Sequence, residues 1–490
     1  MRSLIVAHET RSLVRSQWLA WILGLIVVGI LFAMWAGGNT VQRQVAGAQA
    51  AQAFEESMRN KMLQEVVEYR DWVNETGGAY EFAAVNHAPG SGPPQGTNAG
   101  AVGAETSFYA ILPPTGPAAF SIGQSDILLS YIPINMRNIF DVSRQVELEN
   151  PANLQTGSFD IAFVVIFLLP IFILAMSYDL LSSEKERGTL AMILAHPVSI
   201  RELMASKLIS RARILMTVVV LFGLAALLIM GDNLGQIDTW IRFALWMTAT
   251  LLYGCFWFAL AVLVNAMGQK SATNGMILAS TWLILEVLVP TLISIVATTS
   301  YSPPSRMDLT IAARNAQTEA ETSRMAALDQ YYYDHMELVP EDKARDFLTL
   351  SIANSEAIEK SVRPIYDEFQ AQLNRQEALV QRFQYLSPAI MMQLALNEIS
   401  GTSADRYEHF MNQVYAFHAE WREHFSSLFL SQTPLRPEHY AEFPSFQFQE
   451  ESLGTLVLRT LPSLLGLFVL MSLLTFLGFR ALRNYEIGGH

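Results

Sequence analysis

The sequence predicts an all-α polytopic membrane protein: six transmembrane helices carrying two large, mainly helical extracytoplasmic insertions. Two observations predict it. Of 490 residues, 51% are hydrophobic and only 16% charged, against roughly 25% charge in soluble domains. Six windows, 18–37, 159–178, 214–230, 243–266, 272–297 and 460–479, are long and apolar. A hydrocarbon core of about 30 Å takes roughly 20 such residues as a helix. The windows do not alternate apolar with polar residues, as lipid-facing barrel strands do.

Basic residues orient the chain. The N-terminal tail has Arg2, Arg11 and Arg15. The loop after the second window has Lys185, Arg187, Arg201, Lys207, Arg211 and Arg213. Lys270 follows the fourth window, and Arg480 and Arg483 the sixth. The 231–239 loop has Asp232 and Asp238 and no base. Both termini and the 179–213 loop are therefore expected in the cytoplasm, with the chain in a bacterial inner (cytoplasmic) membrane. The expected organisation is a tail and first span at 1–37, a first extracytoplasmic domain at 38–157, and spans two to five at 158–297. A second extracytoplasmic domain follows at 298–454, then the last span and tail at 455–490. Residues 39–157 carry 6 bases and 12 acids, and 298–454 carry 12 and 23. The net charge of −13 thus comes from the exported parts. It argues against nucleic acid as a partner, which needs a basic face.

Each element follows in order. The apolar run at 18–37 is longer than the core of a secretory signal, so it reads as an uncleaved anchor. Within it Gly29, Ala33 and Gly37 recur every four residues, a small-residue pattern that lets helices approach closely within the chain or between subunits. Residues 39–85 read as a helix, with Phe54, Met58, Met62, Val66 and Trp72 near helical spacing. "NHAPGSGPPQGTNAGAVG" (86–103) reads as a flexible loop. Its glycine spacing does not match a phosphate loop. Extended chain is expected on to 157.

The fourth window holds Cys255, the single cysteine, so the exported parts can have no disulfide. A lipid-buried thiol is a poor nucleophile. The fifth window holds one acid, Glu286. A charge there costs roughly 3 kcal/mol on insertion scales, so Glu286 either lines a transport path or forms a hydrogen-bonded helix contact beside Pro290.

In the second insertion, 355–386 reads as a helix with a bend at Pro364. Ser387 and Pro388 form an N-cap and first helical position, and Gly401 ends the helix they start. Tyr407, Phe410, Met411, Val414, Phe417, Trp421, Phe425 and Leu428 then fall on one stripe, expected to pack on the preceding helices. His409, His418 and His424 are spaced to spread around that helix rather than to stack as metal ligands.

The charged loop "SSEKERGTLAMILAHPVSIRELMASK" (182–207) is too short for a domain. Ser183, with Glu186 three residues on, reads as a local cap, and "GTLAMILAH" as a short helix. Pro197 breaks it. Ser199 and Glu202 then form a capping box, with Val198 and Leu203 as its hydrophobic staple. Two helical pieces pinned around Pro197 make a lever. No GxxxxGK[ST] occurs, so any ATP would be hydrolysed by another chain.

"EKERGT" after an apolar span, then "LAHPVS" and "REL…SK", resembles the ABC-2 type permease family, the membrane subunits of ABC exporters. "FALAVLVNAMGQKSATNG" is similar to the same family. "YLSPAIMMQLALNEISGTSADRYEHF" resembles an uncharacterised exported domain found in a subset of these permeases. The resemblance implies a non-catalytic subunit that pairs with a second permease chain, identical or related, on cytosolic ABC ATPase subunits. It implies no cofactor here, ATP and magnesium being held by the ATPase. It implies that Glu184, Lys185, Glu186, Arg187, Gly188 and Thr189, with Pro197 behind them, couple to that ATPase. The large insertions depart from the minimal family pattern and suggest a periplasmic or outer-membrane partner. The competing expectation is a non-transporting receptor or scaffold whose exported domains bind a ligand.

Overall fold

The computed structural model describes residues 2–81, 93–105, 108–136, 159–231, 234–302, 306–323, 326, 329–330, 333, 347–431 and 433–485. Part of the expected glycine-rich loop (86–92), the extended chain expected at 137–157, and Asp232 lie outside the described residues.

Among the described residues six helices are long and apolar enough to cross a membrane: span 1 (Gln17–Thr76), span 2 (Ile161–Glu186), span 3 (Ile200–Met230), span 4 (Ile237–Ala266), span 5 (Ser271–Ser300) and span 6 (Leu453–Ala481). The other helices are α1 (Arg2–Val14), α2 (Ala99–Glu105), α3 (Ser182–Glu186, the end of span 2 after a turn at 178–181), α4 (Leu190–Leu194), α5 (Arg306–Thr322), α6 (Phe347–Phe383), α7 (Pro388–Ser400) and α8 (Ala404–Leu430). One antiparallel hairpin joins β1 (Phe108–Ile111) to β2 (Tyr131–Ile134), with Phe108 opposite Ile134.

The spans pack around Phe172, Leu215, Trp246 and Trp257. The second window also contains an acid at its edge, Asp160. It caps span 2, accepting from the Phe163 amide at 2.7 Å and from the Ile122 amide of the first insertion at 2.8 Å.

Both insertions share one core. Phe410, Val414, Trp421 and Phe425 of α8 are buried as the stripe predicts. They close with Ala99 and Val102 of α2, with the hairpin, and with Val66 of span 1. Span 1 reaches this core because its 60 residues form one unbroken helix, about 90 Å long at 1.5 Å per residue.

The chain departs from the sequence reading in several places, each for a physical reason. Residues 99–105 are helix, not loop: the Asn98 side chain caps the Gly100 and Ala101 amides at 2.9 and 3.2 Å. The glycines serve contact rather than flexibility. A Cβ on Gly103 would lie 2.8 Å from Phe425 Cβ, and one on Gly96 would lie 2.6 Å from Val66 Cγ2. Ser183 is no cap; its hydroxyl donates back to the Asp179 carbonyl at 3.0 Å, inside the turn.

The largest departure is α7. It is capped as expected by Ser387 and ends at Gly401 with φ +69°, but it is not outside the bundle. Met391, Met392, Leu396 and Ile399 belong to the core of the spans. Before it, Ser387 Oγ donates to Leu285 O, midway along span 5, at 2.8 Å. Gln384 Oε1 accepts from Ser463 Oγ of span 6 at 2.7 Å. At its other end, Arg242 at the start of span 4 donates to Ile399 O at 3.2 Å. The end of α6 and the whole of α7 thus reach in among spans 4, 5 and 6.

Candidate functional site

Two polar assemblies stand out against the apolar bundle. The first is the elbow between spans 2 and 3. Ser199 caps span 3: the Glu202 amide donates to Ser199 Oγ at 3.2 Å, and the Ser199 amide donates back to Glu202 Oε2 at 2.9 Å. Val198 and Leu203 pack in the same small core. Gly188 turns the chain at φ +70°, a conformation that costs a glycine little.

The predicted elbow residues divide into two sets. Glu184, Lys185 and Glu186 bond back to the bundle, the first two half-buried and Glu186 exposed. Glu184 pairs with Lys207 of span 3. Lys185 donates to Gly268 O at 3.2 Å and lies over the Tyr485 ring. Glu186 accepts from the Ser271 amide at 2.6 Å and from its hydroxyl at 3.1 Å. A carboxylate there satisfies a free amide and faces the positive end of span 5's dipole. Thr189 Oγ1 donates to Glu184 O at 3.3 Å, which closes the turn. Arg187, Gly188 and Pro197 are exposed, as is Met192, 64% accessible.

Several anchors were not singled out from sequence. Lys207 also donates to Leu180 O at 3.0 Å. Arg211 donates to the Met176 carbonyl and to Asp179 at 2.9 Å, with Glu9 of α1 at 3.7 Å. Buried Asn265 donates to Ser177 O at 2.8 Å, and Asn274 to Tyr178 O at 3.3 Å. The available signal was cost: an amide inside an apolar span needs a partner there. These groups fix the turn after span 2 to spans 3, 4 and 5 and to α1, so the elbow cannot tilt alone.

The second assembly lies midway along the spans. Residues Val164–Leu168 and Ile284–Leu288 are π-turns. Leu169 and Val289 each donate five residues back. Each turn is followed by a proline, Pro170 and Pro290, which lacks an amide proton and frees a carbonyl in the preceding turn. Tyr253 Oη of span 4 is 2.9 Å from one such carbonyl, Ile166 O. Ser387 Oγ meets the other, Leu285 O. Glu286 sits in the second π-turn, 2% exposed, with Oε1 2.8 Å from the same Tyr253 hydroxyl.

Gly29, Ala33 and Gly37 face inward contacts. A Cβ on Gly29 would touch Leu168 at 3.7 Å, Ala33 is fully buried, and a Cβ on Gly37 would strike Ala119 O at 2.3 Å. On the insertion side, a cavity of about 270 Å³ opens between span 1 and the insertions, lined by Gln44, Ala48, Ile111, Leu129, Thr402 and Arg406.

Six apolar crossings, with a braced polar elbow between the second and third, define a multi-pass membrane protein. The family follows from comparison: residues 3–481 match the model for "ABC-2 family transporter protein", and the chain belongs to that family. It is similar to the probable ABC transporter permease protein NosY of Pseudomonas aeruginosa, 32% identical over 114 residues, 22% of this chain and 41% of that protein. It is also similar to the probable NosY permease of Stutzerimonas stutzeri, 32% identical over 133 residues, 26% of this chain and 48% of that one. The chain thus spans less than half the length of either relative it matches.

Proposed function

We propose that this permease works as the membrane subunit of an ATP-driven exporter in the bacterial inner membrane, both termini and the elbow facing the cytoplasm. A separate cytosolic ATPase, holding ATP and magnesium, docks on Arg187, Gly188 and Met192. Its motion reaches the bundle through Glu184, Lys185 and Glu186. A second permease subunit completes the complex, and the insertions receive substrate or pass force to a periplasmic or outer-membrane partner. The observation that supports this reading is that the exposed tip adjoins a root bonded to span 3 through Glu184 and to the start of span 5 through Glu186. A displacement at the tip then enters three spans at once.

The full chain, tagged and purified in mild detergent, tests it. The wild type is expected to bring down an active ATPase. Arg187→Glu with Met192→Asp is expected to reduce that recovery at least about tenfold, some 1.4 kcal/mol of lost docking, since neither side chain braces the elbow. Undiminished recovery would sink the docking assignment. A wild type that purifies without any ATPase would favour the non-transporting receptor, a reading that the 270 Å³ cavity in the insertions also supports.

A further inference from the structure

We propose that Glu286 and Tyr253 form a proton-binding site inside the membrane bundle, and that its proton holds span 2 to span 5. The argument is a count of protons. A tyrosine hydroxyl carries one. The Tyr253 oxygen lies within hydrogen-bond distance of two acceptors, Ile166 O at 2.9 Å and Glu286 Oε1 at 2.8 Å. Both contacts are full hydrogen bonds when Glu286 supplies the second proton. Glu286 O–H then donates to Tyr253 Oη, and Tyr253 O–H donates to Ile166 O.

The surroundings favour that state. Glu286 Oε2 has no hydrogen-bond partner and the side chain is buried. No lysine, arginine or histidine forms an ion pair with Glu286 among the described residues. The π-turn of span 5 meets span 4 through Tyr253 and the start of α7 through its cap Ser387, besides the neighbouring parts of its own span. The only titratable group that meets the carboxyl among the described residues is Tyr253. A bare carboxylate in such a place costs several kcal/mol, whereas the neutral acid keeps its bond to Tyr253.

The consequence is directional. When the proton leaves Glu286 for water, the Tyr253 proton swings to the carboxylate. Ile166 O, whose helical donor position is taken by Pro170, then loses its donor. One proton therefore decides whether the π-turn of span 2 is pinned to spans 4 and 5. Span 2 leads straight into the elbow, so the site sits on the line between the insertion side and the elbow. The inference is independent of any docking partner.

Infrared spectra of the full chain in lipid nanodiscs at neutral pH test it, comparing wild type with Glu286→Gln and Tyr253→Phe. The wild type is expected to show a protonated-carboxyl C=O band, one carboxyl in size, that Glu286→Gln lacks. Tyr253→Phe is expected to shift that band to higher frequency, because the acid loses its acceptor. Identical carboxyl bands in wild type and Glu286→Gln would overturn the proposal, since Glu286 would then be ionised. If Glu286→Gln does not fold, Tyr253→Phe decides alone: a shifted band supports the pairing, and an unmoved band overturns it.

Discussion

The elbow and the insertion core are built from opposite materials. The elbow is held by charge and amide contacts: Glu184 with Lys207, Arg211 with Asp179, Glu186 on the Ser271 amide, Asn265 on Ser177. The insertion core is held by rings, with Phe108 and Trp421 4.1 Å apart and Trp421 and Phe425 4.4 Å apart. Polar pairs can exchange partners without exposing apolar surface. Interlocked rings cannot, because close-packed interiors move as blocks or not at all. The contrast separates an elbow that moves only with the spans it is tied to from an insertion core interlocked within itself.

Three measurements would break or sharpen that contrast. The largest effect is expected from Trp421→Ala, which removes a fully buried ring from the insertion core. It should cost about 3–5 kcal/mol of insertion stability, seen as earlier thermal unfolding, with the elbow's amide exchange unchanged. Exchange that rises equally at both ends would show that the two regions unfold as one.

The next concerns the latch between insertion and bundle, where Arg406 donates to Glu450 at 2.7 Å and Arg242 lies 3.7 Å from it. Burial alone would raise the Glu450 carboxyl. The hydrogen bonds and charge of Arg406, with Arg242 beyond, outweigh burial and hold it below the ordinary carboxylate range. A carboxyl lowered on folding contributes stability above its unfolded value. That contribution is lost as pH falls through the lower folded value. Glu450 is solvent-exposed in part, so screening holds the pair to about 1 kcal/mol, and acid below pH 4.5 should lower the unfolding midpoint less than Trp421→Ala does. Glu450→Gln should flatten that part of the acid dependence. An unchanged slope would remove the latch from the account.

The smallest effect is expected from Ser199→Ala, which deletes the capping box of span 3 and should cost about 1 kcal/mol. Amide exchange at 200–203 should rise while the insertion is untouched. No local change there would mean that the staple alone sets the elbow's angle.

Most signals carried within four residues were legible, though the Ser183–Glu186 cap failed and the Asn98 cap went unread. The Ser199–Glu202 box, the Ser387–Pro388 start and the Gly401 stop are local, and each was read correctly because its partner lies within one turn. The six crossings and the α8 stripe were legible because periodicity reports burial. What failed was long-range. Lys207 and Arg211 count as positive charge in the sequence, yet both are buried, their partners arriving from the turn after span 2. Helix α7 has 13 residues. That is too few to span, and the length range fits a re-entrant piece as well as a core helix. Pro170 and Pro290 were visible, but a π-turn depends on which neighbour accepts the freed carbonyl. Gly96 and Gly103 were read as breaks because close contact with Val66 and Phe425 leaves no mark on the local sequence.

Span 1 has no joint where it leaves the bundle. Its 38 residues from Asn39 to Thr76 run on as a rod about 57 Å long. A rotation of about 10° at its base would sweep the far end through roughly 10 Å, by the same rise per residue. Because Gln44, Glu55 and Val66 fasten this rod to the insertions, small rearrangements among the crossings are handed on to that whole region.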